Sequence, residues 1–591
     1  MASIKDYKVI VPKNADFYES FAKDELVRLV KEATGIELPV FDDSVIFSSD
    51  DTIISVGRTL NFTESGIKAS YDQLKRDGHK IITSGSTLYL VGGESYGTIY
   101  AVYGFMARQF GYVYYAPSEV CFKTPNNLEI GEYDVTDIPD IENRTGSSLS
   151  NAPLEYATRY RTFHRYGFML NGSNYFGSWA HNHIKEYMPT SKYLETHKDW
   201  YSPEITQLCL SNEEMWVEFT KNVIERIKNY PDSEYFLLGQ EDRPTFCGCK
   251  RCLEQIEKYG RSGIMMRFIN HVAREVEKWR KVNAPNRHIW IGTFAYQKTV
   301  SPPVIEDEDG NYTPIDPSVV PESNVFIMLA PIGADMNAPL TDEERNLATK
   351  KNLDGWTSLT RNCILWTYGA NFSRKFFYFD SFHVMAENYK IAKQYDFRWL
   401  LYEKRTYKGG TAFRELSAYL HSNLAWNVEL DIHELASDFM DHYYKAGAKE
   451  MKEYMKKTDD FFKTRKKELG ERDGRYYGTY LWQNQETNNV WSPEFFTWEF
   501  ITEMNGILDR AVQKIKDSNY GEKEGEYIDR IEIERCSLKM IIAEFFKDKF
   551  TKKEYYAFLD EFKSTCERLE VESIKTKMTL DAAFDDWKEK Y

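Results

Sequence analysis

Three patterns of apolar and polar positions follow one another along the chain. In the first, short apolar runs alternate with amphipathic stretches. Residues 7–12 and 52–56 read as strands, and residues 80–83 and 87–91 as a hairpin across Ser84-Gly85-Ser86. Residues 16–34 carry helical spacing, with Phe17, Phe21, Leu26, Leu29 and Val30 near one face and Gly35 placed to stop the helix. A second helix is predicted over 97–110, after the Gly92-Gly93 pair. The second pattern repeats strand and helix. Apolar runs at 162–170, 235–238, 288–294, 325–330, 363–368 and 399–402 are separated by helical stretches. The clearest of these spans 264–279, where Ile264, Phe268, Val272, Val276 and Trp279 share a face. In the third, from residue 431 onward, Lys, Glu, Tyr and Met dominate, Gly and Pro are sparse, and helical spacing persists.

These patterns predict an α/β protein in three parts. Residues 1–135 form a small N-terminal α/β domain, 136–430 a central TIM-type (β/α) barrel, and 431–591 an α-helical C-terminal domain. No repeat of solenoid period occurs.

Charge and composition narrow the partners. A net charge of −15 argues against nucleic acid, whose phosphates need a basic face. No run of about 18 apolar residues occurs, so no membrane span is expected. The N-terminal stretch lacks a signal-peptide h-region, which predicts a cytoplasmic protein, or an exported one if a leader precedes Met1. A monomer or homodimer is expected. Aromatic residues make up 15% of the chain, and their flat faces suit sugar rings as well as ordinary cores.

Candidate chemistry concentrates in Tyr235-Phe-Leu-Leu-Gly-Gln-Glu-Asp-Arg-Pro-Thr-Phe-Cys-Gly-Cys-Lys-Arg-Cys252. A bare Glu-Asp pair is most often two solvated loop acids. Here Glu241 and Asp242 end an apolar strand, where a barrel enzyme carries its reactive groups. Adjacent acids can divide the work, one orienting or polarising a group while the other transfers a proton. In a barrel the same rim would hold Trp366 and Tyr368, Glu403, and Tyr296 past the 288–294 strand. Gln240 precedes the acids, and His181 and His183 lie in an earlier loop. The histidines read as hydrogen-bonding residues for a polar ligand, with a metal site or plain loop structure as the alternatives. Two carboxylates with aromatics on one rim are what glycoside hydrolysis requires. Cys247, Cys249 and Cys252 offer three soft ligands, and Cys209 could be a fourth if the two loops meet. The alternatives for them are free thiols or, in an exported protein, disulfides. No cofactor beyond such a structural zinc is expected.

The order of segments resembles a known family. Gly78-His-Lys-Ile-Ile through Leu90-Val-Gly-Gly and Gly97-Thr-Ile-Tyr-Ala-Val-Tyr-Gly-Phe are similar to the α/β domain that precedes the barrel in α-glucuronidases and β-hexosaminidases. Lys192-Tyr-Leu-Glu-Thr-His197, Gln207-Leu-Cys-Leu-Ser-Asn212, Phe246-Cys-Gly-Cys-Lys-Arg-Cys252, Arg267-Phe-Ile-Asn-His-Val-Ala273 and Glu415-Leu-Ser-Ala-Tyr-Leu420 resemble DUF4838 proteins, part of which form glycoside hydrolase family 163. The resemblance implies an endo-β-N-acetylglucosaminidase acting on complex N-glycans or derived oligosaccharides. It also implies a TIM barrel and a retaining mechanism assisted by the substrate acetamide. Carried over, it implies Glu241 as general acid/base and Asp242 as its partner. Trp366 and Tyr368 would line the sugar pocket, and Glu403 and His183 would contact hydroxyls or the acetamide. The chain departs from the hexosaminidase order, in which the partner acid precedes the Glu; here Gln240 precedes and Asp242 follows. An α-glucuronidase-like exo-enzyme, using Arg243, Lys404 and Arg405 for a uronate, is one rival reading. A non-catalytic carbohydrate-binding barrel is the other.

Overall fold

The computed structural model describes residues 2–48, 50–94, 96–146, 153–164, 169–404, 411–472, 475–481, 490–575 and 578–591. Its first sheet has strands β1 (Lys8–Val11), β2 (Val40–Asp42), β3 (Ile53–Val56), β4 (His79–Ser84), β5 (Thr87–Gly92) and β6 (Asp134–Asp137). They run in the order β2-β1-β3-β5-β4-β6, with β4 antiparallel to both of its neighbours and the other pairs parallel. Helix Phe17–Thr34 starts on a capping box, Asp16 with Glu19, and ends where Gly35 turns left-handed at φ 76°. Its buried face is Tyr18, Ala22, Glu25, Leu26, Leu29 and Val30. Phe17, expected on that face, is 47% exposed. Gly92 allows the next helix, Gly97–Phe110, to approach the sheet, since a Cβ on it would sit 2.2 Å from the Gly97 backbone.

Among the described residues, a second sheet holds eight parallel strands: β7 (Asn143–Gly146), β8 (Phe163–His164), β9 (Phe176–Ser178), β10 (Tyr235–Leu237), β11 (Trp290–Ala295), β12 (Val325–Leu329), β13 (Cys363–Tyr368) and β14 (Trp399–Glu403). The order is β8-β7-β14-β13-β12-β11-β10-β9. The last strand pairs with the first, β14 with β7, so the sheet curls until its two ends are the consecutive strands β8 and β9. Tyr235 on β10 and Trp399 on β14 lie four strands apart in the sheet, yet their rings are 5.4 Å apart. They meet across a filled, barrel-like interior. Because all the strands are parallel, their C-terminal ends share one rim.

Two of these strands are missing from the apolar pattern. Asn143-Arg-Thr-Gly is polar because Arg144 serves a buried joint. Asp77, fully buried between β3 and β4, lies 2.8 Å from Arg76 and 2.7 Å from Arg144. Burial alone would raise the Asp77 carboxyl, but the two guanidinium charges hold it below its ordinary value. The Arg76 and Arg144 guanidiniums stack over Phe163 and Trp426 at 4.2 Å and 4.9 Å. The predicted strand over 162–170 is realised only as β8. Residues 165–168 of that expectation lie outside the described residues.

Helices Glu213–Asn229, Lys250–Asn283, Leu347–Leu359, Phe382–Gln394 and Arg414–Trp426 lie between or after the barrel strands. The long one bends at Gly260, where φ is 70°. Among the described residues past 431 lie six α-helices, Ile432–Tyr443, Ala448–Leu469, Trp498–Asp517, Glu524–Phe545, Lys552–Arg568 and Leu580–Glu589, and a short antiparallel strand pair, Glu471–Arg472 with Arg475–Tyr476. Lys466 fastens this region to the barrel by reaching Asp380, past β13, at 2.7 Å. Among the described residues, no helix is long and apolar enough to cross a membrane.

Candidate active site

The rim takes its shape from the loop after β9. Asn182 extends the ladder there. Its Nδ2 donates to the Leu237 carbonyl at 2.8 Å, and its Oδ1 accepts from Gly239 N at 3.0 Å. His181 bridges Gly239 in parallel. Gly239 has to be glycine, because a Cβ would meet the Ala180 carbonyl at 2.3 Å and the Phe294 ring at 2.7 Å. Ala180 itself is left-handed at φ 65°, a conformation that costs about 1–3 kcal/mol and gathers at functional sites.

Glu241 and Asp242, adjacent in sequence, bond to different loops. The Glu241 Oε1 accepts from Ile184 N at 2.8 Å, at the start of the π-turn His183–Tyr187. Its backbone is clamped on both sides by Gln207, whose Oε1 accepts from Glu241 N at 3.2 Å and whose Nε2 donates to the Glu241 carbonyl at 3.0 Å. Asp242 turns toward β11. Its Oδ1 accepts from the Tyr296 hydroxyl at 2.9 Å and from Gln297 Nε2 at 3.4 Å, and lies 4.0 Å from His181 Nε2. Its side chain is 59% exposed. Burial, reinforced by the Asp242 charge, raises the Tyr296 phenol, so it stays protonated and donates.

An aromatic row continues from this group. His181 stacks on Phe294 at 5.2 Å, Phe294 meets Trp366 at 6.1 Å, and Trp366 meets Trp179 at 5.9 Å and stacks on Tyr368 at 6.2 Å. The Trp366 Nε1 is buried with no acceptor among the described residues. The structure thus brings together Asp242, His181, Tyr296, Trp366 and Tyr368, and adds Trp179, Gln297 and Gln207. Composition and spacing mark none of those three additions.

The other expected site residues stand differently. His183 is 1% exposed, with its ring edge-on to Phe219 and Phe268. Burial lowers it to about 3, which leaves it a neutral core residue rather than a contact for sugar. Because Asn182 pairs with the end of β10, the next side chain is carried into the space beneath the flanking helices. Gln240 is 7% exposed, and its amide donates to the Tyr296 carbonyl at 3.1 Å and to Thr299 Oγ1 at 2.8 Å. It holds the turn that presents Tyr296. His183 and Gln240 line a cavity of about 10 Å³, too small for a sugar ring. Glu403 ends β14 beside Tyr368 in register but is 1% exposed. Cys209, Cys247, Cys249 and Cys252 do converge, with their sulfur atoms all within 4.8 Å of one another.

A larger cavity of about 740 Å³ lies elsewhere, between helices Ile432–Tyr443 and Ala448–Leu469 and the segment around Asp380. None of the candidate site residues named above lines it. Burial raises its Asp459 to about 7 while Tyr378 donates to that carboxyl at 2.6 Å.

The class of the fold follows from a solved structure. A family GH115 4-O-methyl-α-glucuronidase with specificity for decorated arabinogalactans aligns over 95% of this chain and 76% of its own, with a TM-score of 0.54 and 11% identity. A GH138 enzyme targeting pectin rhamnogalacturonan II aligns over 99% and 98%, with a TM-score of 0.48 and 11% identity. The chain belongs to the family described as Domain of unknown function (DUF4838), whose model matches residues 113–456. No curated protein matches the sequence.

Proposed function

We propose that the protein is a glycoside hydrolase cleaving β-linked N-acetylglucosamine-containing glycans, with Glu241 and Asp242 as its working acids. The observation that supports this reading is the solvent-facing Asp242 carboxylate, oriented by Tyr296 and set beside the aromatic row on the strand-end rim. A sugar stacks on such rings while its polar edge meets the acid.

The arrangement also bears on mechanism. Retention through a carboxylate nucleophile needs a second acid about 5 Å from the first, across the scissile bond. Glu241 and Asp242 leave the same strand end, and Glu403 is 1% exposed. The acetamide of the substrate is then the nucleophile in this reading. Asp242, held by Tyr296 and Gln297, takes the acetamide N–H and directs its oxygen at the anomeric carbon. Glu241 protonates the leaving oxygen, exchanging the Ile184 N–H for it when substrate binds; catalytic contacts commonly tighten only in the complex.

An α-glucuronidase-like reading needs cations for a uronate. Arg243 is exposed beside Asp242, but Lys404 is buried over the Phe382 ring at 4.9 Å, and Arg405 lies outside the described residues. The test is a release assay comparing β-N-acetylglucosaminyl glycans with uronic-acid oligosaccharides, run on the wild type, Glu241→Gln and Asp242→Asn. Glucosaminyl release lost in both variants supports the proposal. Recovery of Glu241→Gln, but not Asp242→Asn, on an aryl glycoside with a good leaving group supports the division of roles. Uronate release would overturn the substrate, and glycan binding without hydrolysis at any pH would overturn the activity.

A further inference from the structure

Four thiols gather behind the candidate site in a cluster of their own. Cys209, Cys247 and Cys252 are 1%, 1% and 0% exposed, and Cys249 is half-buried against them. Cys209 comes from the turn before helix Glu213–Asn229, Cys247 and Cys249 from the segment leading into helix Lys250–Asn283, and Cys252 from the first turn of that helix. We propose that Cys209, Cys247, Cys249 and Cys252 bind one zinc ion as a tetrathiolate that ties these two segments together.

Distances between the sulfur atoms favour this over the alternatives. Zn–S bonds of about 2.3 Å in a tetrahedron place the sulfurs about 3.8 Å apart. Cys209 Sγ lies 3.5 Å from Cys249 Sγ and 3.8 Å from Cys252 Sγ, and all four lie within 4.8 Å. A disulfide needs about 2.05 Å, and all four cysteines are free. Isolated thiols in a core pack against hydrocarbon, whereas these pack against one another.

The surroundings suit a tetrathiolate, which would carry two net negative charges. The Cys252 N–H points at Cys249 Sγ at 3.4 Å, with Cys249 as the N-cap of its helix, where backbone donors favour anions. Ser211 Oγ lies 3.0 Å from Cys252 Sγ. Hydrogen bonds to thiolates of this kind tune a metal site.

The ion would also reach the rim. Gln207, two residues before Cys209, holds both sides of the Glu241 backbone. Removing the ion frees the turn that carries that clamp. The metal site itself stands whether or not the chain cleaves glycans.

The test uses the full chain expressed with zinc supplied. Elemental analysis is expected to find about one zinc per chain, and titration with a mercurial in the presence of a zinc indicator is expected to release it. Cys249→Ser and Cys247→Ser should lose the zinc and lower the Tm. Cys363→Ser, on β13 away from the cluster, should keep it. Because a Cys→Ser variant could fail to fold for other reasons, the wild type is also stripped with a chelator. Its Tm should fall and be restored by zinc sulfate but not by magnesium. Wild-type protein without stoichiometric metal, stoichiometric iron in place of zinc, or a thiol count showing that these cysteines are oxidised would each overturn the proposal.

Discussion

Two groups of acids lie past the C-terminal ends of the barrel strands, and they are built in opposite ways. Asp335 and Asp380, after β12 and β13, are 2% and 3% exposed. Asp335 meets Arg345 at 2.6 Å and accepts from Thr479 N at 2.9 Å. Asp380 meets Lys466 at 2.7 Å and accepts from Asn337 and from the Thr479 hydroxyl. Asp242, after β10, is mostly exposed, and its hydrogen bonds come from a phenol and an amide. A buried acid matched by a cation is a fastener. One oriented by neutral donors keeps lone pairs for a substrate. Position at a strand end does not separate the two; the partners do.

The contrast makes predictions, of which the largest concerns turnover. Asp242→Asn and Glu241→Gln should each lower kcat by about 10³-fold, within the range of lost acid–base groups, while Tm stays within about 2 °C. A large fall in Tm for Asp242→Asn would make it another fastener and erase the contrast. Next, Asp380→Asn leaves Lys466 buried without its counter-charge. It should cost about 3–5 kcal/mol in urea unfolding, with turnover of the folded fraction kept within about threefold. Unchanged stability would show that the buried group is no fastener.

Tyr296→Phe removes the donor that orients Asp242. A hydrogen bond to a charged group is worth about 1.5–3 kcal/mol, so kcat/KM should drop roughly 10- to 100-fold. Equal loss in Tyr296→Phe and Asp242→Asn would mean that Asp242 acts only through this bond.

A separate effect appears with pH. Burial lowers His183 and His421 to about 3 and His79 to about 4. Each is neutral when folded but binds a proton near 6.5 when unfolded. Unfolding therefore takes up protons between 6.5 and those lower values, and stability falls as pH drops through that window. Each histidine adds a slope of about 1.4 kcal/mol per pH unit. Urea midpoints from pH 7 to pH 4 should show this, and His183→Gln should flatten the slope by one proton's worth.

Much of the fold was legible in the chain. Apolar runs marked β10 to β14, and Gly35 marked the end of the first helix. Strand β7 was not legible, because its Arg144 is polar for the sake of Asp77, 67 residues earlier. The short β9, Phe176-Gly-Ser, is too brief to show a period. At the site, the sequence pointed to the acid pair but not to their divergence, which depends on Ile184, Gln207 and Tyr296. It read His183 as a ligand contact, although Asn182 turns it inward by pairing with β10. The cysteines were legible by spacing, and Cys209 joined them only through folding.

By itself, then, the sequence determined what neighbours within a few residues decide: periods, caps, breaks and the acids at a strand end. Tertiary structure decided which acid faces solvent, which histidine is core and which carboxylates are matched by cations. The physical reason is reach. Backbone periodicity is set by contacts a few residues apart, whereas the orientation of Glu241 and Asp242 is set by donors about 30 to 60 residues away, brought to the rim only when the sheet curls.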